Sequence, residues 1–325
     1  MGDHASPSGP DAAFHVPAGG EALRLRGRDV CDLLHRISTA DVRALPVGAA
    51  RPAVFCTPKG RIVAAVGVAR TADAVWLVCR PGSRAAVAAH LDRYVISEDV
   101  TVEDPGGAWG TALVYGAHAA GIYAKAGLPE VGPGGVASAG DGWVLGPLGD
   151  GVAKTCVAPR TTLAAWTTRL QAAGASAADE AWFERWRVAV GWPAPGRELT
   201  EAWNPLEAGL GPAISFTKGC YVGQEVVARL HYYEKRQRRL VRLALAGDPG
   251  ACPVPLRSGA ADAGTLTSAA PAVIGGFAGL GYVRTEHVTP GTALTAGPVA
   301  ATVGVPVGGE PVAPPPPTTR AKALA

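Results

Sequence analysis

Lys218-Gly219-Cys220-Tyr221-Val222-Gly223-Gln224-Glu225 is the stretch around which the rest of this 325-residue chain can be read. Glycines at 219 and 223 tolerate positive φ and close backbone approach, so they can hold Cys220 and Tyr221 on a sharply bent, exposed loop. Lys218 stands two residues from Cys220, and a nearby cation favours the thiolate, the form that attacks electrophiles or binds metal. The competing reading is a cysteine buried in a turn, since free cysteine is among the most buried residue types. Glu225 and Arg229 are spaced i, i+4, so a helical ion pair between them would leave Lys218 to the thiol.

Outward from that octet, Ser215-Phe216-Thr217 before it and Val226-Val227-Ala228-Arg229 after it complete a segment that resembles the signature of the YgfZ family of folate-binding proteins. The resemblance continues in Arg28-Asp29-Val30, in Ala40-Asp41-Val42 and from Tyr94 to Val100. It implies an aminomethyltransferase-like α+β fold, with two ferredoxin-like halves around a central crevice and a C-terminal all-β barrel. It also implies a tetrahydrofolate-type ligand in the crevice. Cys220 and Lys218 would then be the functional thiol and its cation, and Gly219, Tyr221, Gly223, Gln224, Glu225 and Arg229 would contact the ligand. The function implied is an accessory protein, with iron–sulfur enzymes or assembly factors as partners and a link to tRNA modification, that supports cluster assembly or repair. Two alternatives stand beside it: a folate-dependent aminomethyl or one-carbon transferase, and a non-catalytic RNA-binding factor.

Two departures from the aminomethyltransferase pattern bear on catalysis and binding. After the Lys59-Gly60 turn those enzymes carry an Asp-Asp pair that includes the catalytic acid; this chain has Ala64-Ala65, and alanine exchanges no proton. Their folate-binding glutamate, two residues before the glycine that matches Gly191, is here Ala189. The resemblance therefore implies a folate-binding protein that is not a classical enzyme.

Composition narrows the classes. Hydrophobic residues make up 48% of the chain, enough for several cores, while 18% charged residues and a net charge of +3 do not suit a general polyanion coat. The six cysteines, Cys31, Cys56, Cys79, Cys156, Cys220 and Cys252, contain no Cys-x-x-Cys, so neither a zinc ribbon nor a cluster-ligand set is legible and no metal is expected. No apolar run approaches the roughly 18 residues needed to span a bilayer, and no basic start is followed by an apolar stretch. A monomer in the cytoplasm, with free thiols and no membrane contact, is the expectation.

Along the chain, residues 1–13 read as a disordered lead and 311–325 as a Pro-rich disordered tail. The first α+β half is expected over 14–110. Leu23 and Leu25 alternate as a strand, Val30, Leu33, Leu34 and Ile37 fall on one helical face, 53–66 forms a hairpin, and Ser83 caps a helix carrying Val87, Leu91 and Tyr94. The second half is expected over 111–238, with Asp179 capping a helix that bears Trp182, Phe183 and Trp186 and stops at Gly191. Trp192, beside that helix end, is the tryptophan placed to stack on a flat ring. Between Arg229 and Arg242, Lys235, Arg236, Arg238 and Arg239 accumulate around tyrosines, a segment suited to a polyglutamate tail or RNA. The alternation beyond Leu240 predicts the barrel over 239–310.

Overall fold

The computed structural model describes residues 12–18, 21–148, 153–233, 236–272 and 275–309. The sequence readings for the tail, for residues 1–11 and for Glu234 and Lys235 lie outside these residues.

The chain opens with β1 (Ala13–His15) and β2 (Ala22–Arg26), followed by α1 (Val30–Ile37), the hairpin β3 (Ala49–Cys56) and β4 (Ile62–Arg70), β5 (Val75–Cys79), α2 (Arg84–Asp92) and β6 (Thr101–Glu103). The predicted stripe of α1 is buried throughout. Five antiparallel strands form the first sheet in the order β3-β4-β5-β2-β6. Alternation assigns the two faces of β4: Ala64, Val66 and Val68 join the core under the helices, whereas Ala65 and Ala69 face the rest of the protein. Ser83 occupies the position before α2 without capping it; its hydroxyl donates instead to the Arg80 carbonyl at 2.8 Å. Tyr94 lies past the end of that helix but still packs on the same core.

The second sheet is built from β7 (Trp109–Tyr115), β8 (Val136–Ala139), β9 (Gly142–Leu145), β10 (Ala153–Pro159) and β11 (Ser176–Ala177), with α3 (Ala119–Lys125), α4 (Arg160–Ala172) and α5 (Glu180–Val190) between and after them. Its order is β11-β1-β7-β10-β9-β8, so the N-terminal strand β1 crosses into it, antiparallel to β7 and parallel to β11. Ala12 and Ala13, read as part of a disordered lead, are buried there, and residues from 14 onward do not all serve the first half. A three-residue strand has no periodicity of its own; it is held by the ladder of β7. The cap at Asp179 forms as expected, its carboxylate accepting from the Trp182 N–H at 2.7 Å, and Gly191 ends α5 in the left-handed region at φ 83°.

The two sheets meet through Trp76 and Val78 on one side and Trp143, Leu145 and Val157 on the other, tied by backbone bonds from Ala50 N–H to Gly134 O and from Val136 N–H to Gly48 O. A long irregular segment from Trp192 leads to α6 (Gln224–Tyr232) and then to the barrel: β12 (Arg238–Leu245), β13 (Val254–Ser258), β14 (Ala261–Pro271), β15 (Phe277–Arg284), β16 (Ala293–Ala296) and β17 (Val299–Pro306). These six strands close in the order β12-β15-β14-β13-β16-β17, with Val241, Leu243 and Leu245 pointing inward as their alternation predicts. Closure leaves no sheet edge exposed. Leu240, Leu280 and Tyr282 face outward into a core shared with β3, β4 and α5.

Arg187 fastens α5 to the barrel. Fully buried, it donates to both Glu184 oxygens at 2.6 Å, to Ser268 Oγ at 2.8 Å and to Glu198 Oε2 at 3.1 Å. Glu198, also fully buried, accepts further bonds from Thr267, Ser268 and the Ala194 N–H. Every charge in this network has several partners, the condition under which buried ions are tolerable.

Candidate functional site

The motif loop is clamped between α1 and the β3–β4 turn. Lys218 is buried, and its ammonium donates to the carbonyls of His35, Ser38 (2.7 Å) and Ala40 (2.8 Å) around the C-terminal end of α1. An ammonium has three N–H donors, so those carbonyls exhaust it. Burial pushes its pKa down to about 8. This corrects the sequence reading: Lys218 serves helix-end carbonyls that lack intrahelical partners rather than the Cys220 thiol. The ammonium also stands 5.0 Å from the Tyr221 ring centroid, and burial raises the pKa of that tyrosine.

Three more contacts fix the loop. Ser215 N–H donates to Thr39 O at 2.9 Å, Val222 N–H to Arg36 O at 3.1 Å, and Thr39 Oγ1 to Ala213 O at 2.6 Å. Gly223 has φ 82°, and a Cβ there would lie 2.6 Å from Thr57 O and 3.1 Å from the Gly60 Cα, so glycine is required for the loop to seat on the turn. Gly219 is different. Its φ is not positive, and a Cβ would meet nothing closer than His35 Nε2 at 3.7 Å. Gln224 begins α6 and accepts from the Tyr221 N–H at 3.2 Å; the expected Glu225–Arg229 ion pair does not form among the described residues. Cys220 alone of the six cysteines is exposed.

The crevice expected from the resemblance exists elsewhere, as a cavity of about 120 Å³ between the facing sheets. Its walls come from β3 and β4 (Ala53, Ala65), β7 and β10 (Thr111, Thr155) and the segment after α5 (Trp192, Ala213). Of the predicted ligand contacts only Trp192 lines it; Gly219, Tyr221, Gly223, Gln224, Glu225 and Arg229 do not. Arg80 stacks over the Trp192 ring at 4.0 Å and donates to Pro193 O at 3.0 Å. Trp182 and Trp186 pack around Tyr115 and Phe183, and Trp203 stacks on Tyr282 at 3.8 Å, so these three are structural. Ala65 presents a methyl group to the cavity where the aminomethyltransferase pattern has its acidic pair, and Ala189 borders a shallow groove beside the barrel instead.

The sequence reading missed Glu21. It lines the cavity, is 5% exposed, and accepts from the Gly82 N–H through Oε1 at 3.0 Å, while Oε2 is buried with no hydrogen-bond partner. Nothing in its local sequence signals a site; its position shows only once the sheets are assembled.

The basic segment is largely absorbed by structure. Arg238 and Arg239 lie on β12, the first over Trp203 and the second donating to Gly309 O at 2.7 Å, and Arg242 donates to Ala189 O at 3.4 Å. Among the described residues no group of three or more His, Cys, Asp or Glu side chains converges, and no helix is long and apolar enough to cross a membrane.

Comparison with known proteins agrees with this geometry. The family model for the GCVT N-terminal domain matches residues 20–128, and that for the CAF17 C-terminal beta-barrel domain matches residues 237–308. A chloroplastic protein of Arabidopsis thaliana named as a transferase is 29% identical over 85% of this chain, which spans 66% of that protein's length. An aminomethyltransferase of Streptomyces avermitilis is 26% identical, with 83% of this chain and 78% of that one covered. The crystal structure of glycine cleavage system aminomethyltransferase T from Bartonella henselae superposes with a TM-score of 0.79 at 18% identity, covering 91% of this chain and 85% of the other. At that identity the likeness establishes the fold.

Proposed function

Because this chain belongs to the YgfZ family, related in fold to aminomethyltransferases, we propose that it binds a reduced folate between its two sheets and presents Cys220 as a functional thiol in support of iron–sulfur enzymes. The observation that carries the thiol half is the mounting of Cys220: an exposed cysteine on a loop anchored at Lys218, Val222 and Gly223. A thiol that serves only as filling needs neither the exposure nor the anchoring. The segment that lines the cavity at Pro212 and Ala213 runs directly into the motif, which links ligand and thiol along the chain.

The fit of a folate head group rests on the walls. Trp192 and Leu113 offer apolar walls, and the buried, unpartnered Oε2 of Glu21 offers an acceptor in an otherwise mostly apolar recess. A bound tetrahydrofolate supplies a carrier for one-carbon units at its ring nitrogens. The chain's own residues would hold it: Trp192 and Leu113 as apolar walls, the sheet faces by excluding water, Glu21 by accepting a hydrogen bond. Ala64 and Ala65 move no proton, so the transferase reading lacks its acid at the family position.

The thiol assignment is tested by Cys220→Ser. The variant should melt as the parent does and fail to restore iron–sulfur enzyme activity in a strain lacking the protein, and alkylation of the parent should be dominated by Cys220. Full restoration by the variant would remove the thiol from the function.

A further inference from the structure

Resting on the folate reading, we infer that Glu21 selects the ligand, as the carboxylate that receives the adjacent N–H donors of a 2-aminopyrimidine-type ring edge such as that of a pterin. Glu21 is held from two sides: its carbonyl accepts from the Cys79 N–H at 2.8 Å and its Oε1 from the Gly82 N–H at 3.0 Å. The side chain therefore cannot swing to solvent without giving up the turn at Gly82. Its other oxygen is left buried without a donor, and among the described residues no Lys, Arg or His forms an ion pair with it. Arg80, which lines the same cavity, is directed to the Trp192 face and to Pro193 O.

A buried carboxylate supplied with one backbone donor is short of hydrogen bonds, and buried polar atoms in folded proteins nearly always find a partner. In a cavity of about 120 Å³, the missing donors would be supplied most fully by a ring carrying two parallel N–H groups, one ring nitrogen and one exocyclic amine, because they match the two carboxylate oxygens in plane. Trp192, with Arg80 over its ring, is an apolar wall of the same cavity beside such a ring. Glu21, immediately before β2, would thus do by position what Ala189, on α5, cannot do.

The discriminating experiment compares two bicyclic heads that differ at this edge, titrated into the full-length protein and followed by tryptophan fluorescence and by the rise in melting temperature. Pterin carries the 2-amino group, and lumazine replaces it with a carbonyl, turning a donor into an acceptor. The wild type should bind pterin and 5-formyltetrahydrofolate at least tenfold more tightly than lumazine. Glu21→Gln keeps the shape and an acceptor for Gly82 while adding a donor, so it should lose at least tenfold for pterin and erase the preference. If the wild type binds 5-formyltetrahydrofolate but treats pterin and lumazine alike, or if Glu21→Gln retains the full preference, the inference is overturned and the folate reading survives. If the wild type binds none of the three, both fall. The wild-type comparison needs no variant, so it decides even if Glu21→Gln folds poorly.

Discussion

The ammonium of Lys218 lies 2.7 Å from the carbonyl oxygen of Ser38, at the end of a helix 180 residues earlier in the chain. The motif's cation is a clasp: it closes the C-terminal end of α1 and thereby fixes the loop that displays Cys220.

Lys218→Met should therefore be a stability mutation. Removing the ammonium takes its donors from the His35, Ser38 and Ala40 carbonyls, of which Ala40 O keeps the Val42 N–H, at a cost of about 2–4 kcal/mol. Native-state alkylation of Cys220 at neutral pH should stay the same or quicken as the loop loosens. A marked slowing, with stability intact, would return Lys218 to the role of thiol cation.

Gly223→Ala and Gly219→Ala should separate sharply. At 223 a methyl group meets Thr57 O at 2.6 Å on a backbone of φ 82°, and a loss of about 2–4 kcal/mol is expected; at 219 the nearest atom is 3.7 Å away and the loss should stay within about 1 kcal/mol. Chemical denaturation of the two variants checks it, and equal losses would contradict the seating of Gly223 on the Gly60 turn.

Breaking the buried network at either end should be costly. Arg187→Met strands the buried Glu198 without its cation, while Glu184 keeps Arg197, and Glu198→Ala leaves Arg187 with Glu184 but without its second carboxylate; each should cost about 3–5 kcal/mol. Both melts should fall, while replacement of the exposed Arg185 leaves them nearly unchanged.

His90 predicts an acid-sensitive step. Its ring is buried between Phe55 and Tyr94, and burial lowers its pKa to about 4 from an unfolded value near 6.5. The unfolded chain binds the proton more readily, so the contribution is fully present above pH 6.5 and is lost as pH falls toward 4. It amounts to about 1–3 kcal/mol. His90→Leu should flatten the stability profile between pH 6.5 and 4, and an unchanged slope would contradict the burial argument.

What could be read in the sequence follows from what is local. The α1 stripe, the Asp179 cap, Gly191 and the inward alternation of Val241, Leu243 and Leu245 are each set by neighbours a few residues away, and they fold as read. β1 escaped because its three residues owe their conformation to β7. Arg187 and Glu198 look like surface charges until Ser268 arrives from 81 and 70 residues away. The motif was legible as a bent loop with an exposed cysteine, but the direction of Lys218 and the seat of Gly223 depend on α1 and the Gly60 turn. The cavity was legible only as a resemblance: Trp192 reached it, the other predicted contacts did not, and Glu21 had no local mark.

The central claim, that the space between the two sheets is where a reduced folate binds, is tested most directly by filling it. Calorimetric titration of the wild-type chain with 5-formyltetrahydrofolate should give saturable binding, and Ala65→Phe, which projects a ring into the cavity from β4, should abolish it while the protein still melts cooperatively. Undiminished binding to the filled protein, or none to the wild type, would contradict the account.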